Sequence, residues 1–133
     1  MAISAKPMTD TDLATVFDWW RARGCGEMPD GLLPPFGVMS SNERGPGGAG
    51  FAYFCEVAPV AFLDWFVTAP GLTAGDARRH LRAVLEALQS EADRRGVKFC
   101  LGCTSEPAMA REAERVGFFP VEGQFKHFIH CRL

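Results

Sequence analysis

Neither sign of charge dominates this chain of 133 residues: 14 Lys and Arg stand against 16 Asp and Glu, a net charge of −2. Holding nucleic acid or an anionic bilayer by an overall field needs a large positive balance, so neither partner is expected. No apolar run is long enough to span a bilayer, and the opening Met-Ala-Ile-Ser-Ala-Lys-Pro lacks the apolar core of an export signal. The expected compartment is the cytoplasm. An even set of cysteines is also missing. There are five, which points to reduced thiols rather than a disulfide framework. No internal repeat and no second domain can be discerned, so residues 1–133 read as a single domain with one core. What is plentiful is apolar surface, with 47% hydrophobic against 23% charged residues, as in ordinary globular chains.

The patterning divides the chain into short elements. Ile3–Lys6 reads as a strand ended by Pro7. Thr9 and Asp12 supply a capping pair, and Leu13, Val16, Phe17 and Trp20 recur at helical spacing, so a helix runs to Gly24. Cys25–Pro35 has no period and reads as a loop. Phe36–Met39 and Phe51–Val57 have strand character, and Gly45-Pro46-Gly47-Gly48-Ala49-Gly50 between them reads as the turn cluster of an antiparallel hairpin. A phosphate loop would need a helix after those glycines, and strand follows. Val60–Thr68 reads as a buried central strand. Gly75–Arg95 is the longest helix, with Leu81, Val84, Leu85, Leu88 and Ala92 on one face and Gly96 ending it. Val97–Cys103 follows as a strand, so this strand–helix–strand unit implies a parallel pair with a right-handed crossover. Glu106–Val116 reads as a short helix, and Phe118–Val121 with Gln124–Cys131 as a last hairpin. The expected class is α+β, in an α/β/α sandwich-like arrangement. Its mixed, mostly antiparallel sheet has one central parallel pair and is flanked by helices.

The order β-α-β-β-β-α-β-α-β-β resembles the GNAT superfamily, the GCN-type N-acetyltransferases. Local matches are Phe66-Val67-Thr68-Ala69-Pro70 before the long helix and Glu114-Arg115-Val116-Gly117-Phe118 after the last one. Trp19-Trp20, Leu33-Pro34-Pro35 and Leu63-Asp64-Trp65-Phe66-Val67 are similar to segments of short GNAT-like proteins encoded by phages and prophages. The resemblance implies transfer of an acyl group from acetyl-CoA to an amine on a small molecule or peptide. It places the pantetheine arm of acetyl-CoA on the backbone of Phe66, Val67 and Thr68, where the central strand and its parallel neighbour splay apart. It places the diphosphate at the start of the long helix, around Gly75, Ala77, Arg78 and Arg79. There the sequence departs from the family's Arg/Gln-x-x-Gly-x-Gly/Ala loop. Neither register gives the two small residues with a leading Arg or Gln. Asp76 adds a negative charge that Arg78 and Arg79 could offset. A second departure is Ala113, at the position where many members carry an acid tyrosine; the one tyrosine here is Tyr53. Two functions therefore stay open. One is a GNAT-type transferase; the other is a binding or structural protein on the same fold that has lost CoA binding. The acceptor is not legible, and a homodimer is compatible with the sequence.

Asp64 is the sharpest single candidate. A carboxylate in a buried strand needs a partner or a raised pKa, and the resemblance often puts a general base on this strand. The competing account is an Asp facing solvent or held by a neighbour for structural reasons. Cys100 with Cys103, and His127, His130 and Cys131, are zinc-ligand types. Their spacing of three in strands points partners to opposite faces, so no metal is expected. His80 reads as a surface or capping histidine near the start of the long helix. Trp19, Trp20 and Trp65 read as core, with one of the adjacent pair turned away from it.

Overall fold

The computed structural model describes residues 2–27, 31–104 and 106–121. Its elements run β1 (Ser4–Pro7), α1 (Asp10–Ala22), β2 (Phe36–Asn42), β3 (Gly45–Phe54), β4 (Val60–Thr68), α2 (Ala74–Arg94), β5 (Phe99–Leu101) and α3 (Pro107–Arg115). The sheet order is β1-β2-β3-β4-β5. The first three pairings are antiparallel, and β4 with β5 is parallel. The α+β class and the parallel pair thus stand as the sequence implies, with β5 at the end of the sheet among the described strands. The strand after α2 is shorter than the expected Val97–Cys103. The expected hairpin over Phe118–Val121 and Gln124–Cys131 lies for its second strand outside the described residues. No helix among the described residues is long and apolar enough to cross a membrane.

Alternation along the strands splits the core into two. Val38 belongs to a cluster with Ala52, Leu63, Val84, Leu85 and Leu88, under α2 and α3. Its neighbour Met39 belongs to another with Val16, Trp19, Trp20, Phe51 and Val67, under α1. Successive strand residues point to opposite faces, so one sheet separates two apolar layers. Helix α1 starts at the expected capping box: Thr9 Oγ1 accepts from the Asp12 N–H, and Asp12 accepts from the Thr9 N–H.

The glycine cluster is a strand, not a turn. The β2–β3 turn is Asn42-Glu43-Arg44-Gly45, with Gly45 at φ 109°. The glycines that follow lie in β3 beneath α2. A Cβ on Gly50 would come within 2.6 Å of the Phe66 ring and 2.8 Å of Val84, and one on Gly47 would come within 2.3 Å of the His80 ring. Glycine here lets a helix close onto the sheet. His80 is correspondingly buried rather than on the surface, at 1% exposure. Its Nδ1 lies 2.9 Å from Ser40 Oγ.

Candidate functional site

Strands β4 and β5 share three residue pairs, Val60 with Phe99, Ala61 with Cys100 and Phe62 with Leu101. Beyond them β4 continues to Thr68 while β5 ends. At the branch point Gly102 lies so close to β4 that a Cβ would stand 3.1 Å from the Leu63 carbonyl oxygen. From there the β4 edge that faces away from β3 has no strand partner among the described residues. Unpaired backbone N–H and C=O groups on such an edge are available to an extended chain bearing amides.

A bulge re-aims this edge. Ala49 pairs with Val67 and Phe51 with Asp64, so the β3 and β4 registers slip between them. Trp65 takes φ 61°, the one non-glycine residue with positive φ among the described residues. A bulky residue in this region is costly and is kept only where its surroundings fix it. Trp20 does so, with its ring edge-on to Trp65 at 6.0 Å between centroids. The Asp64 Oδ1 accepts from the Trp65 N–H at 2.8 Å.

The fork opens into a cleft of about 1620 Å³ as bounded by the described residues. Asp64, Phe66, Val67 and Thr68 line it on the β4 side, and Met109 and Ala113 on the α3 side. Asp64 is exposed on the cleft wall rather than buried, which corrects the expectation of a desolvated carboxylate. Ala113 presents only a methyl group to the cleft. Burial and the nearby Asp93 push the Cys100 thiol above its ordinary value, so this cleft cysteine is held protonated.

The helix start belongs to a different neighbourhood. Gly75, Ala77, Arg78 and Arg79 sit on the first turns of α2 and do not line the cleft. Thr73 caps the helix by accepting from the Asp76 N–H at 3.1 Å, and Asp76 pairs with Arg79 at 3.2 Å. The N-terminal dipole is thereby answered by the chain's own carboxylate. Among the described residues no group of three His, Cys, Asp or Glu converges as metal ligands would. The described cysteines, Cys25, Cys55, Cys100 and Cys103, are free thiols. His127, His130 and Cys131 lie outside the described residues.

Sequence reasoning missed two features of this wall. The bulge at Trp65 breaks no alternation that a run of apolar residues would reveal. Arg23, at the end of α1, donates from Nε and Nη2 to the Thr68 carbonyl at 3.3 and 3.0 Å, and from Nη2 to Thr68 Oγ1 at 2.8 Å. Its one signal was the neighbouring Gly24, a helix-stop residue that fixes where the side chain begins.

No protein-family model and no curated protein sequence matches the chain. Solved structures do. A Trypanosoma brucei acetyltransferase superposes at a TM-score of 0.67 with 14% identity, over 96% of this chain and 100% of its own. The aminoglycoside N-acetyltransferase AAC(6')-Iy, solved in complex with CoA, gives 0.69 at 17% identity, over 96% and 100%. The ribosomal-protein-S18-alanine N-acetyltransferase of Escherichia coli gives 0.63 at 17%, over 91% and 80%. At such identities the likeness is one of fold, and the fold is that of the GNAT acetyltransferases.

Proposed function

We propose that this chain is an acyl-CoA-dependent N-acyltransferase that moves an acetyl group from a CoA thioester to a primary amine by direct attack. The observation that carries the reading is the fork: a parallel pair three residues long, then a bulged strand whose edge, without a strand partner among the described residues, faces a cleft. The donor's pantetheine amides would pair along the Phe66, Val67 and Thr68 stretch at the groups that face the cleft, since Val67 lies opposite Ala49 of β3 and the Thr68 carbonyl already accepts from Arg23. In the transfer the amine nitrogen bonds to the acyl carbon, the carbon–sulfur bond breaks and the sulfur leaves as thiolate. Asp64 would accept the proton lost by the amine, directly or through a water. With Ala113 in place of an acid, the leaving thiolate takes its proton from solvent. Gly75, Ala77, Arg78 and Arg79 would meet the diphosphate at the α2 start, against the local charge of Asp76. The acceptor would be a small-molecule or peptide amine. Similarity to phage and prophage proteins rests on Trp19-Trp20, Leu33-Pro34-Pro35 and the β4 segment alone.

A second reading has its own support. The Thr73 cap, the Asp76–Arg79 pair and Ala113 suit a protein on this fold that no longer takes CoA. Calorimetry with acetyl-CoA separates the two. Transferase function predicts binding, and at about 100 times Kd a stabilisation of about 2.7 kcal/mol, a melting shift of several degrees. Asp64→Asn should leave that binding nearly unchanged and slow transfer by about 10²–10⁴-fold, since it removes a base and keeps the shape. Absence of both heat and melting shift at millimolar acetyl-CoA would sink the enzyme reading.

A further inference from the structure

Helix α1 ends in a closed C-terminal motif. The Gly24 N–H donates to the Arg21 carbonyl and the Cys25 N–H to that of Trp20, with Gly24 at φ 72°. These are the two reversed bonds that stop a helix with glycine just past its cap, here Arg23. The motif fixes the origin of the Arg23 side chain, which then crosses 45 positions of sequence to reach Thr68.

The direction in which it meets Thr68 matters. The Ala69 N–H donates to the Gly47 carbonyl, so Ala69 faces β3. In an antiparallel pair, adjacent residues alternate between facing the partner and facing away. Thr68, opposite Gly48, therefore turns its carbonyl to the other edge of β4, the free edge that borders the cleft. Arg23 occupies that edge at its last residue. Three donors on one residue, two of them to one carbonyl, fix orientation as well as position. Its Nη1 has no partner among the described residues, and none of their carboxylates pairs with it. Three residues earlier in α1, Trp20 braces Trp65 at the other end of the bulged stretch.

We propose that Arg23 is a positioning residue for the acyl donor: with Trp20 it forms a two-point clamp that closes off the Thr68 end of the edge and holds the Trp65–Val67 stretch before it in its bulged course beside the cleft. This rests on the transferase reading above, because the object being positioned is the strand edge that the donor would use. Arg23 is on the surface side of the strand and outside the apolar core, so its replacement removes the clamp without opening a cavity.

The test uses the full chain and acetyl-CoA with four proteins: wild type, Arg23→Gln, Arg23→Lys and Thr68→Val. Binding is measured by calorimetry, and amide hydrogen exchange by mass spectrometry on peptides covering 63–69 and, as a control, α2. Arg23→Gln should weaken acetyl-CoA binding about tenfold or more, an effect the size of a single one of the three charge-assisted hydrogen bonds it removes. It should speed exchange in 63–69 and leave exchange in α2 unchanged. Thr68→Val keeps the carbonyl partner and should weaken binding by less than Arg23→Gln does. Arg23→Lys keeps the charge without the fork geometry and should fall between wild type and Arg23→Gln. If wild type binds acetyl-CoA and Arg23→Gln matches it in both affinity and exchange, the clamp is wrong and the transferase reading stands. If Arg23→Gln speeds exchange in α2 as much as in 63–69, its effect is global and the clamp is likewise overturned. If wild type binds no acetyl-CoA, the transferase reading fails and takes the donor-positioning role with it.

Discussion

Protonating His80 would set two donors face to face. Asn42 Oδ1 already accepts the Arg44 N–H, which turns the Asn42 amide nitrogen to His80 Nε2 at 3.5 Å. Nδ1 meets Ser40 Oγ, whose own proton goes to the Gly48 carbonyl at 3.2 Å. The neutral ring with its proton on Nδ1 satisfies the whole chain of groups; the cation does not. Burial pushes the His80 pKa below its ordinary 6.5, with Asp76 raising it and Arg79 lowering it by smaller effects. The unfolded chain therefore takes up this proton first as pH falls. The stability due to neutral His80 is complete above 6.5 and is lost as pH drops through that value towards the folded pKa. Calorimetric melting across pH 8 to 5 should show this loss in wild type and a flatter profile in His80→Asn, which melts lower at pH 8. Equal slopes would mean that another group titrates there. Glu91, held at about 2 by Arg94 and Arg95, acts in a separate window. Its contribution is present above 4.5 and fades only as pH falls towards 2. Sequence could not place His80, since a polar residue on an apolar helix face looks the same whether it meets water or a buried hydroxyl.

At the scale of elements, the seat of α2 on β3 shows where reading by propensity fails. Glycine is depleted in strands, so a run of glycines argues for a turn. In β3 the run answers a steric demand from His80 and Val84 of a helix distant in sequence, which no local pattern carries. Gly50→Ala should cost about 1–3 kcal/mol in urea unfolding, because its Cβ meets Phe66 and Val84 with no room to give. Gly75→Ala is the matched control. Its Cβ would meet nothing nearer than 4.0 Å and sits in the first turn of a helix, so stability should hold or rise by up to about 1 kcal/mol. Equal losses from both would refute the packing account. The long helix, its crossover and the parallel pair were legible because amphipathic period and strand–helix–strand order are local or topological. The bulge and the Arg23 contact were not, because each depends on two segments meeting.

Across the whole molecule, α3 is tied to α2 by a buried carboxylate. Glu112 is fully buried and accepts from Arg82 at 2.9 Å and from Arg115 at 2.8 Å. The arginine side chains are 39% and 56% exposed, so they regain water when the acid is removed. Glu112→Ala should thus cost about 1–3 kcal/mol, less than the loss of one partner from a fully buried pair. Denaturant melting checks this, and a change near zero would show the triad to be ornamental. Asp64 and Phe66–Thr68, singled out in the sequence, line one wall of the cleft, and Asp76 was legible as a charge at the start of α2, but its pairing with Arg79 was not. The fork also has a mechanical side. Three residue pairs join β4 to β5, and the Arg82–Glu112 contact fastens α3 to α2. Anything wedged between the strands exerts a torque about this pivot. The Arg82–Glu112 pair is the charged contact between α2 and α3 that would resist it, so the stiffness of the jaw should depend on a buried group that does not line the cleft.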